Sequence, residues 1–341
     1  MKLKSAIRYL TNASDSGFGT SFSRPRYVSL VITKKCNLRC RHCDIWKNED
    51  SGRELEDEKW LRALEDIKNW LGAQEIEING GEPLLKKELV FKIIEKCNQL
   101  NLPVSLNTNG TMIDRDATQE LLKWNLKSVK ISLYSLNPLV HDELRGLAGT
   151  FEKTKQALDC LNELRQGKGT RVEIGMLLTR QNIKEIDEII SYASLKGLDL
   201  IFQPLDFNID ADYKNNWQTK SDLWPEKDQV IKYLKPLTEQ RSKIIKNPPF
   251  YLKLIYQYYL DPDSFKKRQC LAPYNNLVVW PNGDVALCFR SNVLGNISNS
   301  SVREVWQGEK AGLERKRLQK CQKSCKIIGC NIKKQIKDFL L

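Results

Sequence analysis

Three cysteines crowd one short stretch, Cys36-Asn37-Leu38-Arg39-Cys40-Arg41-His42-Cys43. The spacing, C-x3-C-x2-C, lets three thiolates hold three irons of a 4Fe–4S cluster and leave the fourth iron bare. A bare iron is an open coordination position, which separates a catalytic metal centre from a structural one. Zinc knuckles come as paired C-x2-C, and only Cys40 and Cys43 have that spacing. Plant-type ferredoxins use C-x4-C-x2-C, one residue longer. Disulfides need an oxidising compartment, and no export signal is visible, because the basic start has no apolar core before Ser14-Asp15-Ser16.

Three further features suit a small polar ligand. In Gly80-Gly81-Glu82-Pro83 two glycines let a backbone approach a ligand closely, with carbonyls able to take an ammonium group; the same residues also make an ordinary turn. Asn107-Thr108-Asn109-Gly110 offers short polar side chains for ribose hydroxyls or a carboxylate, or a capped turn before a helix. Ser132 ends an apolar run, and Arg145, in His141-Asp142-Glu143-Leu144-Arg145-Gly146, suits a carboxylate clamp or a surface ion pair.

Five of the ten cysteines lie near the C-terminus: Cys270, Cys288, Cys321, Cys325 and Cys330. Apolar runs at 277–280 and 285–288 flank Pro281-Asn282-Gly283-Asp284, and Asn-Gly between strands signals a hairpin. That hairpin puts Cys288 at its end, near Cys270; a zinc knuckle is the alternative use of these thiols. Cys97 and Cys160 fall on helix core faces and read as packing residues.

The elements that position these residues follow from periodicity. Strand-like runs at 27–33, 75–79, 103–107, 127–133, 171–178 and 198–204 alternate with helical patterns at 54–71, 86–100, 114–124, 151–166 and 183–196. On 54–71, Trp60, Leu61, Leu64, Ile67, Trp70 and Leu71 share one face. This alternation predicts an α/β fold with a parallel sheet and outer helices. Six units are too few for a closed eight-stranded barrel, so the expected form is a partial (β/α)6 barrel followed by a small C-terminal cysteine-rich domain. The motifs follow successive strands and so converge on one rim. The expected organisation is an N-terminal extension, 1–25; a barrel, 26–205; a helical connector, 206–265, with helices at 226–245 and 249–260; and the cysteine-rich domain, 266–341.

Composition is that of a globular protein, 41% hydrophobic and 28% charged, with no run near the ~20 apolar residues of a membrane span. A cytoplasmic location is expected. The net charge is +13, but the basic residues are scattered and accompany no recognition motif, which argues for a solvated basic surface rather than a nucleic-acid site.

Taken together, these motifs resemble the radical S-adenosylmethionine superfamily. The likeness covers roughly residues 25–205 and rests on Cys36, Cys40 and Cys43, then Gly80 to Pro83, Asn107 to Gly110, Ser132 and the 141–150 run. It implies a 4Fe–4S cluster on the three cysteines, whose free iron takes the amine and carboxylate of S-adenosylmethionine. Gly80, Gly81, Glu82 and Pro83 would hold the amine. Asn107, Thr108, Asn109 and Ser132 would serve the ribose side, Arg145 the carboxylate, and His42 the adenine region. The implied reaction is reductive cleavage to a 5′-deoxyadenosyl radical that abstracts hydrogen from a C–H bond. One departure is Tyr134, where many relatives with a substrate-side acid have Asp. The tail resembles the SPASM and Twitch auxiliary domains in their shorter form. That implies a second, auxiliary 4Fe–4S cluster on Cys270, Cys288, Cys321 and Cys325, with Cys330 spare.

The leading expectation is an enzyme acting on a small molecule, sugar- or nucleotide-like, because residues 1–25 are too few to fold a peptide-binding domain. A peptide-modifying enzyme is the alternative. The rival from another class is a non-catalytic iron–sulfur or zinc protein binding nucleic acid. An electron donor such as flavodoxin or ferredoxin is the expected partner.

Overall fold

Strands form here because apolar and polar residues alternate with period two, and the two sides of the sheet then meet different surroundings. The computed structural model describes residues 24–47, 53–206, 221–328 and 331. Tyr27–Val31 (β1) turns Val28 and Leu30 into the helical layer, while Ser29 faces the other side and meets Glu77 and Asn79. Ile76–Asn79 (β2), Val104–Thr108 (β3), Ser128–Ser132 (β4), Arg171–Leu178 (β5) and Asp199–Pro204 (β6) repeat the pattern. All six are parallel and neighbours in chain order. They form the expected α/β partial barrel.

The connecting helices are Asp57–Leu71 (α1), Lys87–Gln99 (α2), Arg115–Lys123 (α3), Pro138–Arg145 (α4), Thr150–Leu164 (α5) and Ile186–Lys196 (α6). Each buries one stripe on the convex side; in α1 it is Trp60, Leu64, Ile67, Trp70 and Leu71. The concave side is polar, carrying Ser29, Glu77, Asn79, Asn107 and Lys130. Helix α4 is an element the periodicity missed. Its signal was local: Asn137 caps Leu139 N–H at 3.0 Å and Pro138 opens the first turn.

The far edge of β1 is not left open. Asn276–Val279 (β7) pairs with it in parallel, and Asp284–Ala286 (β8) and Gly295–Asn296 (β9) continue antiparallel, making nine strands among the described residues. The Asn-Gly hairpin forms as its turn chemistry dictates, with Gly283 at φ +87°. Its attachment to β1 was not foreseen: the sheet runs without a break from the barrel into the cysteine-rich segment. Two helices there were also missed, Val302–Gln307 and Glu309–Gln319, although Ser301 and Glu304 form a capping box at the start of the first.

At the opposite edge the connector departs from expectation. A helical run over Lys227–Gln229, Val230–Leu234 and Lys235–Glu239 carries a π turn just before Pro236 and stops short of 245. The chain then lies along β6, where Leu200 pairs with Ile245. Asn247 completes this edge guard by pairing with Phe202 as a strand would, accepting from its N–H at 2.7 Å and donating to its carbonyl at 2.9 Å. Pro249–Leu260 (α7) follows, on the expected residues. No helix among the described residues is long and apolar enough to cross a membrane. Asn247→Ala leaves a buried N–H and C=O of β6 unmatched and should cost about 1–3 kcal/mol, read as a lower urea midpoint.

Candidate active site

The cysteine loop leaves the C-terminal end of β1 and has almost no regular structure of its own, so its shape must come from its neighbours. Three supply it. From the turn after β2, Gly81 N–H donates to the Thr33 carbonyl at 2.8 Å and Glu82 N–H to Lys35 at 2.9 Å. From the loop after β3, Asn109 donates to the Asn37 side chain at 2.8 Å, and Asn37 donates to the Thr111 hydroxyl at 2.8 Å. From the end of α4, the carbonyls of Arg145 and Leu144 accept from Arg39 and Arg41 N–H at 3.3 and 3.1 Å. The Arg41 guanidinium adds ion pairs to Glu143 and Asp222, each at 2.5 Å.

Two glycines make this approach possible. A Cβ on Gly81 would lie 2.2 Å from the Lys35 carbonyl oxygen, and one on Gly146 would lie 2.1 Å from that of Arg39. The close approach at Gly81 is therefore to the cysteine loop, not only to a ligand. The Gly80 and Gly81 carbonyls accept no hydrogen bond among the described residues, so they remain able to take an ammonium group.

Glu82 is fully buried and joins two of the three neighbours. Its carboxylate accepts from Leu84 N–H at 3.0 Å, Thr108 hydroxyl at 2.8 Å and Asn109 N–H at 2.8 Å. Burial pushes its pKa up, and those three donors oppose the rise. The Thr108 and Asn109 side chains are thus already engaged inside the protein, and Pro83 is buried at the start of a short 3-10 helix. Of this motif Asn107 alone turns its side chain to the concave face, where it donates to Asn79. Burial presses Glu77 upward, but Lys130 with Asn107, Asn79 and Ser29 outweighs it and holds the carboxyl below its ordinary value.

Arg145 is 4% exposed and forms no ion pair among the described residues; its Nε has no hydrogen-bond partner. The guanidinium lies 4.7 Å over the Tyr134 ring, with Cys40, Cys36 and Glu82 within electrostatic reach. A buried guanidinium with unspent donors is an anion receptor. Burial, with Arg145 nearby, brings His42 down to about 3, so its imidazole is neutral; its Nε2 sits 3.4 Å from the Tyr134 hydroxyl. Ser132 also reaches that tyrosine, whose hydroxyl burial raises to about 12.

The donor sets suit iron–sulfur clusters. Cys36, Cys40 and Cys43 feel one another's charge, and burial pushes Cys43 up to about 12. Cys270, Cys288, Cys321 and Cys325 likewise form one electrostatic group, all free of disulfides, with Cys325 raised by burial to about 12. Such thiols yield their protons to a metal, not to neutral water. Among the described residues no three His, Cys, Asp or Glu converge on a single ion; a cubane asks each thiolate for a different iron. Cys330 lies outside the described residues. Cys97 is a core residue of α2, as expected. Cys160 is not: it lines a groove of about 540 Å³ with Asp114, Arg115 and Glu163, on the outer helices. Sequence reasoning missed Asn37 and Gly146. Gly146, a left-handed helix stop, was legible; Asn37 carried no signal.

Comparison with known proteins agrees with this architecture. Residues 30–193 match the family model described as the radical SAM superfamily, and residues 270–331 match SPASM, an iron–sulfur cluster-binding domain. The PqqA peptide cyclase of Granulibacter bethesdensis is 22% identical over 297 residues, spanning 84% of this chain and 75% of that protein. The GTP 3′,8-cyclase of Peptoclostridium acidaminophilum is 28% identical over 289 residues, spanning 79% and 82%. Streptococcus suis SuiB bound to S-adenosylmethionine superposes with a TM-score of 0.67 at 18% identity, over 92% of this chain and 72% of SuiB. SuiB has also been solved with its precursor peptide SuiA. The chain belongs to the radical SAM superfamily, with a SPASM domain behind its barrel. It is an enzyme whose cofactors are S-adenosylmethionine, a 4Fe–4S cluster and an auxiliary iron–sulfur cluster.

If Glu82 is the strut of the rim, Glu82→Leu strands the Asn109 N–H and Thr108 hydroxyl, costs about 1–3 kcal/mol, and speeds amide exchange across residues 33–43. Exchange there equal to wild type would show that the loop holds its shape without it.

Proposed function

We propose that this enzyme modifies a peptide. The carrying observation is that the match to the PqqA peptide cyclases runs across both the barrel and the cysteine-rich segment, at 84% and 85% of the chain in two species. This replaces the small-molecule substrate expected from the short N-terminal extension. The concavity supports the reading, since its polar wall of Ser29, Glu77, Asn79, Asn107 and Lys130 suits peptide groups, with Trp280 and Phe289 half-buried beside it.

In this reading Cys36, Cys40 and Cys43 hold the cluster that supplies the electron for cleaving S-adenosylmethionine. The Gly80 and Gly81 carbonyls orient the cofactor's amine, and Arg145 its carboxylate. Asn107 and Ser132 face its ribose, and His42 packs neutral beside the adenine. Glu82, Thr108 and Asn109 act through the loop they brace. Cys270, Cys288, Cys321 and Cys325 hold the auxiliary cluster.

The GTP cyclase relative gives the second reading, a nucleotide substrate. Anaerobically reconstituted protein, supplied with S-adenosylmethionine and dithionite, should form 5′-deoxyadenosine. Replacing Cys36, Cys40 and Cys43 together with Ala should abolish it and remove one cluster's iron. Consumption of GTP in step with 5′-deoxyadenosine would overturn the peptide reading; a mass change in a precursor peptide, with GTP inert, would support it.

A further inference from the structure

The cysteine-rich segment meets the end of β6 through one buried ion pair. Asp206 and Arg290 lie 3.1 Å apart with side chains 13% and 7% exposed. Asp206 comes two residues after β6, and Leu205 before it is clamped by two tyrosines: its N–H donates to Tyr259 at 2.7 Å, and its carbonyl accepts from Tyr258 at 3.1 Å. Arg290 comes two residues after Cys288 and gives its backbone N–H to that sulfur. Its guanidinium is within electrostatic reach of Cys288 and Cys325, and the Asp206 carboxylate is within reach of Cys325.

Among the described residues, the other charges near these thiols differ from this pair. Lys323 is half-buried beside Cys321, Cys325 and Cys288. Arg317 has 52% of its side chain exposed and is tied to Glu314 at 2.6 Å. Water screens Arg317 more than it screens a buried pair. A cluster on four thiolates becomes more negative when it takes an electron. A fixed cation at short range in a poorly screened site favours that electron, and a fixed anion opposes it.

We propose that Arg290 and Asp206 are positioning residues that set the reduction potential of the auxiliary cluster with opposite signs, through a pair anchored on the barrel's β6. The inference rests on the ligand assignment proposed above. Because Asp206 is fixed to β6 and Arg290 to the cysteine segment, any change in the fit between them alters the field at the four thiols.

Redox titration followed by electron paramagnetic resonance tests this on the full-length reconstituted protein. The Cys36→Ala/Cys40→Ala/Cys43→Ala background isolates the auxiliary signal. Arg290→Gln should move the midpoint to more negative potential, and Asp206→Asn to more positive. Each shift is expected to reach a tenfold change in the reduced fraction at fixed poise, 59 mV for one electron. Arg290→Lys, which keeps the charge, should stay nearer wild type than Arg290→Gln, and the Arg290→Gln/Asp206→Asn protein should fall between the two single variants. A merely structural strut would lower iron content or thermal stability while leaving the midpoint of the loaded molecules in place, and that result overturns the proposal. If Arg290→Gln fails to load iron, Asp206→Asn decides alone: no positive shift refutes the assignment. Zinc in place of an iron–sulfur signal in the background protein would instead refute the auxiliary cluster, and this inference with it.

Discussion

The rim depends on a buried carboxylate that accepts hydrogen bonds from three groups of the rim itself. Glu82 ties the turn after β2 to the loop after β3, and both then grip the cysteine loop. A carboxylate fully removed from water is tolerated only when donors satisfy it, and here two backbone N–H groups and a hydroxyl do so. Because those donors are fixed by the ends of β2 and β3, the loop inherits the rigidity of the sheet. A loop that must present three thiols in fixed relation, without secondary structure of its own, needs such a borrowed frame.

The sheet divides its labour by face. Aliphatic residues on the convex side pack the helices. On the concave side the row from Ser29 through Glu77, Asn79 and Asn107 to Lys130 is cross-linked by hydrogen bonds and one long ion pair. Such a wall offers donors and acceptors already oriented by one another. Arg145 stands at its rim in a different condition, buried and with an unspent donor. Among the described residues Arg145 forms no ion pair, while its charge lies within electrostatic reach of Cys36, Cys40 and Glu82.

Much of this was legible before the fold was known. The six parallel strands fall within a residue or two of the expected runs, because period-two burial is a local property. The cysteine triplet was legible because metal spacing is also local. What escaped was set by distant partners. Nothing around residue 276 announces that its strand will pair with β1. The side chains of Thr108 and Asn109 look equally ready for a ribose or for Glu82 and Asn37, and only the fold decides. At 240–245 the helical reading failed because the helix stops at Glu239, just past Pro236, and the chain that follows lies along the edge of β6. Helix α4 and the Ser301 capping box were different: their signals were local and were simply passed over.

The parallel pairing of β1 with β7 has a consequence for how the chain is made. Tyr27 meets Asn276 in register, so the strand that carries the cysteine loop waits for about 250 further residues before its second edge is covered. During synthesis the barrel's strands can assemble in order, yet β1 would present a bare row of amides and carbonyls to its surroundings throughout. A nascent barrel in that state invites strand addition from another molecule. The C-terminal hairpin is thus a late-arriving guard for the strand from which the cysteine loop departs, as well as the segment that brings Cys288.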